Sequence, residues 1–137
     1  MYNCKHFKPE ELLPKSWIDQ YDSHALLAMD ERILISIDLI REYFAVPVIV
    51  NNWAKGGAFS FRGLRTPGCL QYKPDSQHAF GRAIDFDVQG LSADYVRRVI
   101  LDGQARWPLI TRMEIGSAWV HVDCANTGSK KIVMVNP

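Results

Sequence analysis

The stretch SQHAFGRAIDFDVQG, residues 76–90, carries the alternation on which the fold turns. Its second half reads as a β-strand over Ala83–Val88, in which successive side chains point to opposite faces. Ile84, Phe86 and Val88 fall on one face, and Ala83, Asp85 and Asp87 on the other. WVHVDC, residues 119–124, repeats the pattern, with Val120, Val122 and Cys124 opposed to Trp119, His121 and Asp123. Each strand thus has an apolar side for a core and a side bearing ionisable groups. If the two strands are neighbours, Asp85 and His121 converge, and His78 enters from the turn ahead of the first strand.

Outward from this pair, residues 8–13 (KPEELL) suggest a short helix with Pro9 in its first turn. A long helical pattern from His24 to Phe44 follows, with Asp22 or Ser23 as its cap. Leu26, Leu27, Ile33, Leu34, Ile37, Ile40 and Phe44 form its apolar stripe. VPVIVNN, residues 46–52, reads as a buried strand. Trp53 to Asp75 is rich in glycine, aromatic residues and arginine, which suggests a long ordered loop, and such loops are usually functional. Ser92 caps a second helix over Ala93–Leu101, and RMEIG (112–116) and KIVMV (131–135) supply further strands. Helices come first and strands dominate later. The expected class is a single α+β domain, residues 1–137, with N-terminal helices packed on a mainly antiparallel sheet.

Composition narrows the function. The net charge of +1, with acids and bases mixed along the chain, gives no clustered basic face for nucleic acid. Cys4, Cys69 and Cys124 form neither a disulfide framework nor a paired-cysteine metal knuckle. The N-terminus lacks the apolar core of a signal peptide. The most apolar region, Ile33 to Val50, is interrupted by Asp38, Arg41 and Glu42. The expectation is a protein made in the cytoplasm, bound to no membrane, and monomeric by default.

Two imidazoles and one carboxylate are a recurrent ligand set for catalytic zinc, with water in the open fourth position. Neutral imidazole nitrogen suits the ion, the carboxylate offsets part of its charge, and the bound water becomes acidic enough to act near neutral pH. Gly81 and Ala83 would let the backbone bend close to such an ion. The alternative is a solvated polar sheet face bearing Asp85 and His121, with His78 as a turn residue.

SQHAFGRAID fits the pattern S-x-H-x-x-G-x-A-x-D, and WVHVD fits W-x-H-x-D, in the same order. With HFKPEELL near the start, the chain resembles the zinc D-Ala-D-Ala carboxypeptidase and L-Ala-D-Glu endopeptidase family, in particular its small stand-alone members from bacteriophages and bacteria. The resemblance implies one zinc ion held by His78, Asp85 and His121, and an α+β fold shared with the Hedgehog signalling domain. It implies hydrolysis of peptidoglycan stem peptides, with the protein reaching the cell wall after release or holin-type export.

Further roles follow from the same resemblance. Many family members place an acid three residues before the last zinc histidine, where this chain has Ala118. Glu114, seven residues before His121, is the chosen general base, brought back by a turn at IGSA (115–118). Asp123 is the alternative base or, on the face it shares with His121, a residue that orients that ligand. An upstream arginine is expected to bind substrate carboxylate or a developing oxyanion. In FSFRGLRTPG (59–68) this is Arg65, with Arg62 as the second candidate. Trp119 stands where some relatives carry a histidine and is a further candidate for substrate contact. Trp53, Phe59, Phe61 and Tyr72 are candidate cleft walls.

Rival chemistries find less support. No serine is followed three places later by lysine, as a serine penicillin-binding mechanism requires. Cys124 points away from His121 by alternation, and Cys69 has no helix start beside it. The competing reading from another class is a zinc-containing binding or phage structural module without catalysis.

Overall fold

The computed structural model spans residues 1–137. Five strands form one sheet: β1 (Val48–Ile49), β2 (Ala83–Val88), β3 (Arg112–Glu114), β4 (Val120–Asp123) and β5 (Val133–Val135). Their order is β1-β2-β4-β3-β5. β1–β2, β2–β4 and β4–β3 are antiparallel, and only β3–β5 is parallel. Three helices accompany the sheet: α1 (Lys15–Tyr21), α2 (Glu31–Phe44) and α3 (Ala93–Asp102). The α+β class and the mainly antiparallel sheet are as read from the sequence.

The β2–β4 register sets Asp85 opposite His121, with Ile84 opposite Val122 and Phe86 opposite Val120. The apolar face therefore presents Ile84, Phe86, Val120 and Val122, all almost fully buried. It packs against Ile33, Leu34, Ile37 and Ile40 of α2, and against Val96 and Ile100 of α3. The spacing of the α2 residues places them on one helical stripe. A slip of one residue would turn that apolar set outward and carry His121 into the core, so the register is strongly specified.

The helical pattern from His24 onward is broken. Asp22–Ala28 is a 3-10 segment, Met29 is extended, and α2 starts only at Glu31. The break has a cause at Asp30, whose carboxylate accepts from the Arg32 backbone N–H and from its guanidinium. Asp30, rather than Asp22 or Ser23, is the cap, and Leu27 projects outward from the expected stripe. α1 was not foreseen: seven residues are too few for a clear period. The KPEELL turn is a 3-10 helix over Pro9–Glu11, and only Val48–Ile49 of VPVIVNN pairs as a strand.

Residues 50–82 form the long connection expected over 53–75, and it lies against the ionisable side of the sheet. Asn51, itself buried, donates to Ser60 O and accepts from Arg62 N. The Asp85 backbone N–H donates to Arg62 O, so this segment runs beside β2 where β1 does not reach. Gly63 abuts the Leu12 carbonyl so closely that any Cβ there would collide with it. Gly81, at φ +66°, meets the Ala28 carbonyl in the same way, and its own carbonyl accepts from Asp30 N–H. Gly81 thus ties the start of β2 to the start of α2 and does not serve close approach to an ion, as the sequence had suggested. No helix is long and apolar enough to cross a membrane.

The N-terminal residues are pinned by Asp38, a carboxylate of α2 only 2% exposed. It accepts from Tyr2 Oη (2.7 Å), Lys5 N (2.8 Å) and His6 N (3.1 Å). We expect Asp38→Ala to lower the unfolding free energy by about 2–4 kcal/mol, because three donors lose a charged acceptor at once. Urea denaturation measures this, and a loss below about 0.5 kcal/mol would mean that water replaces the carboxylate.

Candidate metal centre

The sheet aligns two rows of ionisable residues. Asp85 on β2 faces His121 on β4, and one further step of the β3–β4 register sets Glu114 on the far side of His121. In the next row Ala83, Asp123 and Arg112 stand side by side on the same three strands. His78 arrives from the turn before β2. One ligand atom from each of His78, Asp85 and His121 lies within 4.8 Å of the other two, and this buried group could hold a metal ion. The middle of the polar face is largely shielded from solvent: His78, Asp85 and His121 are 3–4% exposed and Asp123 is fully buried.

Hydrogen bonds fix which nitrogen each imidazole offers. His78 Nδ1 lies 2.8 Å from Gly63 O, an acceptor only, so Nδ1 carries the proton and Nε2 faces Asp85 Oδ1 at 3.2 Å. His121 Nε2 lies 2.8 Å from Asp123 Oδ2, which turns Nδ1 towards Asp85 Oδ1 at 2.7 Å. Both imidazoles are therefore oriented by a partner on the far nitrogen, the usual support of a metal-ligating histidine. Asp85 Oδ2 accepts from Arg65 Nη2 at 2.8 Å, leaving Oδ1 as the atom common to both imidazoles.

Electrostatics agree with the geometry. Burial works to raise the Asp85 carboxyl, but hydrogen bonds from His121 and His78 outweigh it and hold the group well below the usual carboxylate range. Burial works to lower His121, yet bonds to Asp123 and Asp85, with the nearby charges of Asp85 and Glu114, push it up to about 9. Asp123 is also lowered, by its bonds to His121, the Ala125 backbone and Arg112, against its burial. In its protonated form His121 donates to a carboxylate from each nitrogen, to Asp85 from Nδ1 and to Asp123 from Nε2.

The expected residues divide clearly. Glu114 belongs to the site, with Oε1 3.4 Å from His121 Nδ1. The IGSA turn that returns it is clamped by Arg97 of α3, which donates to Trp119 O (2.9 Å) and Ser117 O (3.0 Å). Asp123 is committed to His121, Arg112 and Ala125 N, so it orients the His121 ring and has no oxygen left free to act as a base. Arg65 is at the site but paired with the Asp85 carboxylate, and its Nε donates to Phe61 O. Arg62 is not: it pairs with Asp87 at 2.7 Å and stacks on Phe59. Its place on the strand-like segment beside β2 directs it towards the β1 end.

A cleft of about 470 Å³ opens over the cluster, with Trp119 on its wall. Trp53, Phe59, Phe61 and Tyr72 do not line it, and the Trp53 indole donates to Leu13 O as a packing anchor. Lys73, Gln77 and Arg112 are among the lining residues that went unforeseen. Alternation in RMEIG would have placed Arg112 beside Glu114, whereas nothing local marked Lys73 or Gln77. Gln77 Oε1 is the one buried side-chain polar atom without a partner. A second hollow, about 390 Å³ beside β1, contains no imidazole or thiol.

The shifts imply a pH profile for the metal-free protein. His121 has a folded value of about 9 against about 6.5 unfolded, so its contribution is full below about 6.5 and lost as pH rises to about 9. Asp85 and Asp123 sit below their ordinary values, so their contributions hold above about pH 4 and fade in acid. We expect chelator-treated protein to resist urea best near pH 5–6.5, and a divalent ion to remove the alkaline loss by taking neutral His121 as its ligand. A flat metal-free profile from pH 6.5 to 9 would contradict the bridging proton on His121.

Among known proteins the chain matches no family model, no curated protein and no solved structure.

Proposed function

We propose that the chain is a zinc-dependent peptidase that hydrolyses peptide bonds in peptidoglycan stem peptides. The observation that carries this reading is Glu114, a carboxylate at the metal cluster whose only close partner is His121 Nδ1, at 3.4 Å. A two-histidine, one-carboxylate set suits zinc, and its mutual spacing and oriented nitrogens fit that ion. Bound there, zinc would acidify a water molecule and polarise a carbonyl oxygen.

The chain's own residues supply the remainder. Glu114 accepts the proton of the attacking water and passes it to the leaving amine. Asp123 keeps His121 in the tautomer that offers Nδ1. Arg65 neutralises the outer oxygen of Asp85 and retains Nη1 for an oxygen that gains charge during the reaction. Trp119, 38% exposed, offers the rim an apolar surface for a peptide. The motif likeness supports the substrate class, with access to the wall by release from the cell.

A second reading, a zinc-containing binding or phage structural module, draws on the Arg65–Asp85 pair, which closes the charge of the cluster without substrate. Activity separates the two. We expect one zinc per chain, and stem-peptide fragments or D-alanine by mass spectrometry of digested cell walls. Stoichiometric zinc without such release would sink the peptidase. Glu114→Gln should keep its zinc and lose turnover by about 10²–10⁴-fold, while Asp85→Ala and His121→Ala should lose both.

A further inference from the structure

The cleft holds a cation that the roles above leave unassigned. Arg112 stands on β3, two positions before Glu114 and on the same face. Its Nε donates to Asp123 Oδ1 and Oδ2, at 3.1 and 2.9 Å, and neither terminal amino group has a protein partner. The side chain is 32% exposed and lines the cleft. A guanidinium pinned at Nε presents its two amino groups as a planar pair of donors, the geometry that matches a carboxylate. Arg65 has no such pair to offer, because its Nε and Nη2 are committed to Phe61 O and Asp85.

The charge of the cleft points the same way. Among its lining side chains Arg65, Lys73 and Arg112 balance Asp75, Asp85 and Glu114, and the α-carboxylate of Pro137 adds one negative charge. A divalent ion on the cluster leaves the cleft net positive, which favours an anionic ligand.

We infer that Arg112 is a specificity residue, whose terminal amino groups bind a free carboxylate on the residue that follows the scissile bond. The inference rests on the peptidase reading and narrows it. In a D-Ala–D-Ala ending, that residue carries the terminal carboxylate. In L-Ala–D-Glu it carries the α-carboxylate, because the chain continues through the γ-carboxyl. A cross-bridge residue held in amide linkage at both ends has none, and such bonds are disfavoured.

Two pairs of synthetic stem peptides test this, each differing only in a free acid or a carboxamide on that residue. Cleavage by zinc-loaded protein is followed by mass spectrometry, and binding to the zinc-free protein by calorimetry. For the pair that is cut, we expect the wild type to favour the acid by about tenfold or more in kcat/KM and in affinity, as charge-assisted bonding gives. In Arg112→Met both ratios should fall to within about twofold. Arg112→Gln, whose amide still donates to Asp123, should lose the same preference. A merely structural role through Asp123 and His121 would slow acid and amide alike and leave the ratio intact. An undiminished ratio in either variant, or no acid preference in the wild type, overturns the assignment while leaving cleavage in place. Acid-selective, Arg112-dependent binding without any cleavage supports the assignment and removes the peptidase reading.

Discussion

The pairing of Asp85 with His121 across the middle of the sheet is the constraint to which the rest of the site answers. Directly opposed residues of antiparallel strands bring their side chains together without any loop having to position them. Here the pair is almost wholly buried. A carboxylate taken out of water costs several kcal/mol unless it is compensated. His78, His121 and Arg65 all address its two oxygens, and so the neighbouring structure is committed to supplying them.

That commitment accounts for the long connection between β1 and β2. A connection of this length is usual only where it serves a site. This one delivers Arg65 to Asp85 Oδ2, the Gly63 carbonyl to His78 Nδ1, and His78 itself to the cluster. It is held in turn by Asn51, by the Leu12 carbonyl against Gly63, and by Gly81 locked to the start of α2. The N-terminal segments therefore contribute to the site at one remove, by fixing the loop that covers it.

The two rows on the polar face divide the labour. The outer row, Arg112 and Asp123, fixes the tautomer of His121 and leaves donors facing the cleft. The inner row, Asp85, His121 and Glu114, gathers the groups that would meet an ion and a water molecule. A free Glu114 beside a fully committed Asp123 separates two carboxylates that are hard to rank from the chain alone. Their difference is burial and hydrogen bonding, and not residue type.

The sequence by itself determined what local periodicity can encode. Alternation in AIDFDV and WVHVDC placed Asp85, His121 and Asp123 on one face, and Ser92 marked the start of α3. Apolar spacing identified α2, though not its start, because Asp30 caps it through its own side chain and through Gly81, fifty-one positions along the chain. Only the tertiary structure decided that the middle of the polar face is covered, that Arg62 turns to Asp87, that Arg65 is held by the Asp85 carboxylate, and that Arg112 keeps free donors. The physical reason is that alternation sets the direction of a side chain within its own strand. Its partner is chosen by how a distant loop closes over that strand, and no local pattern carries that information.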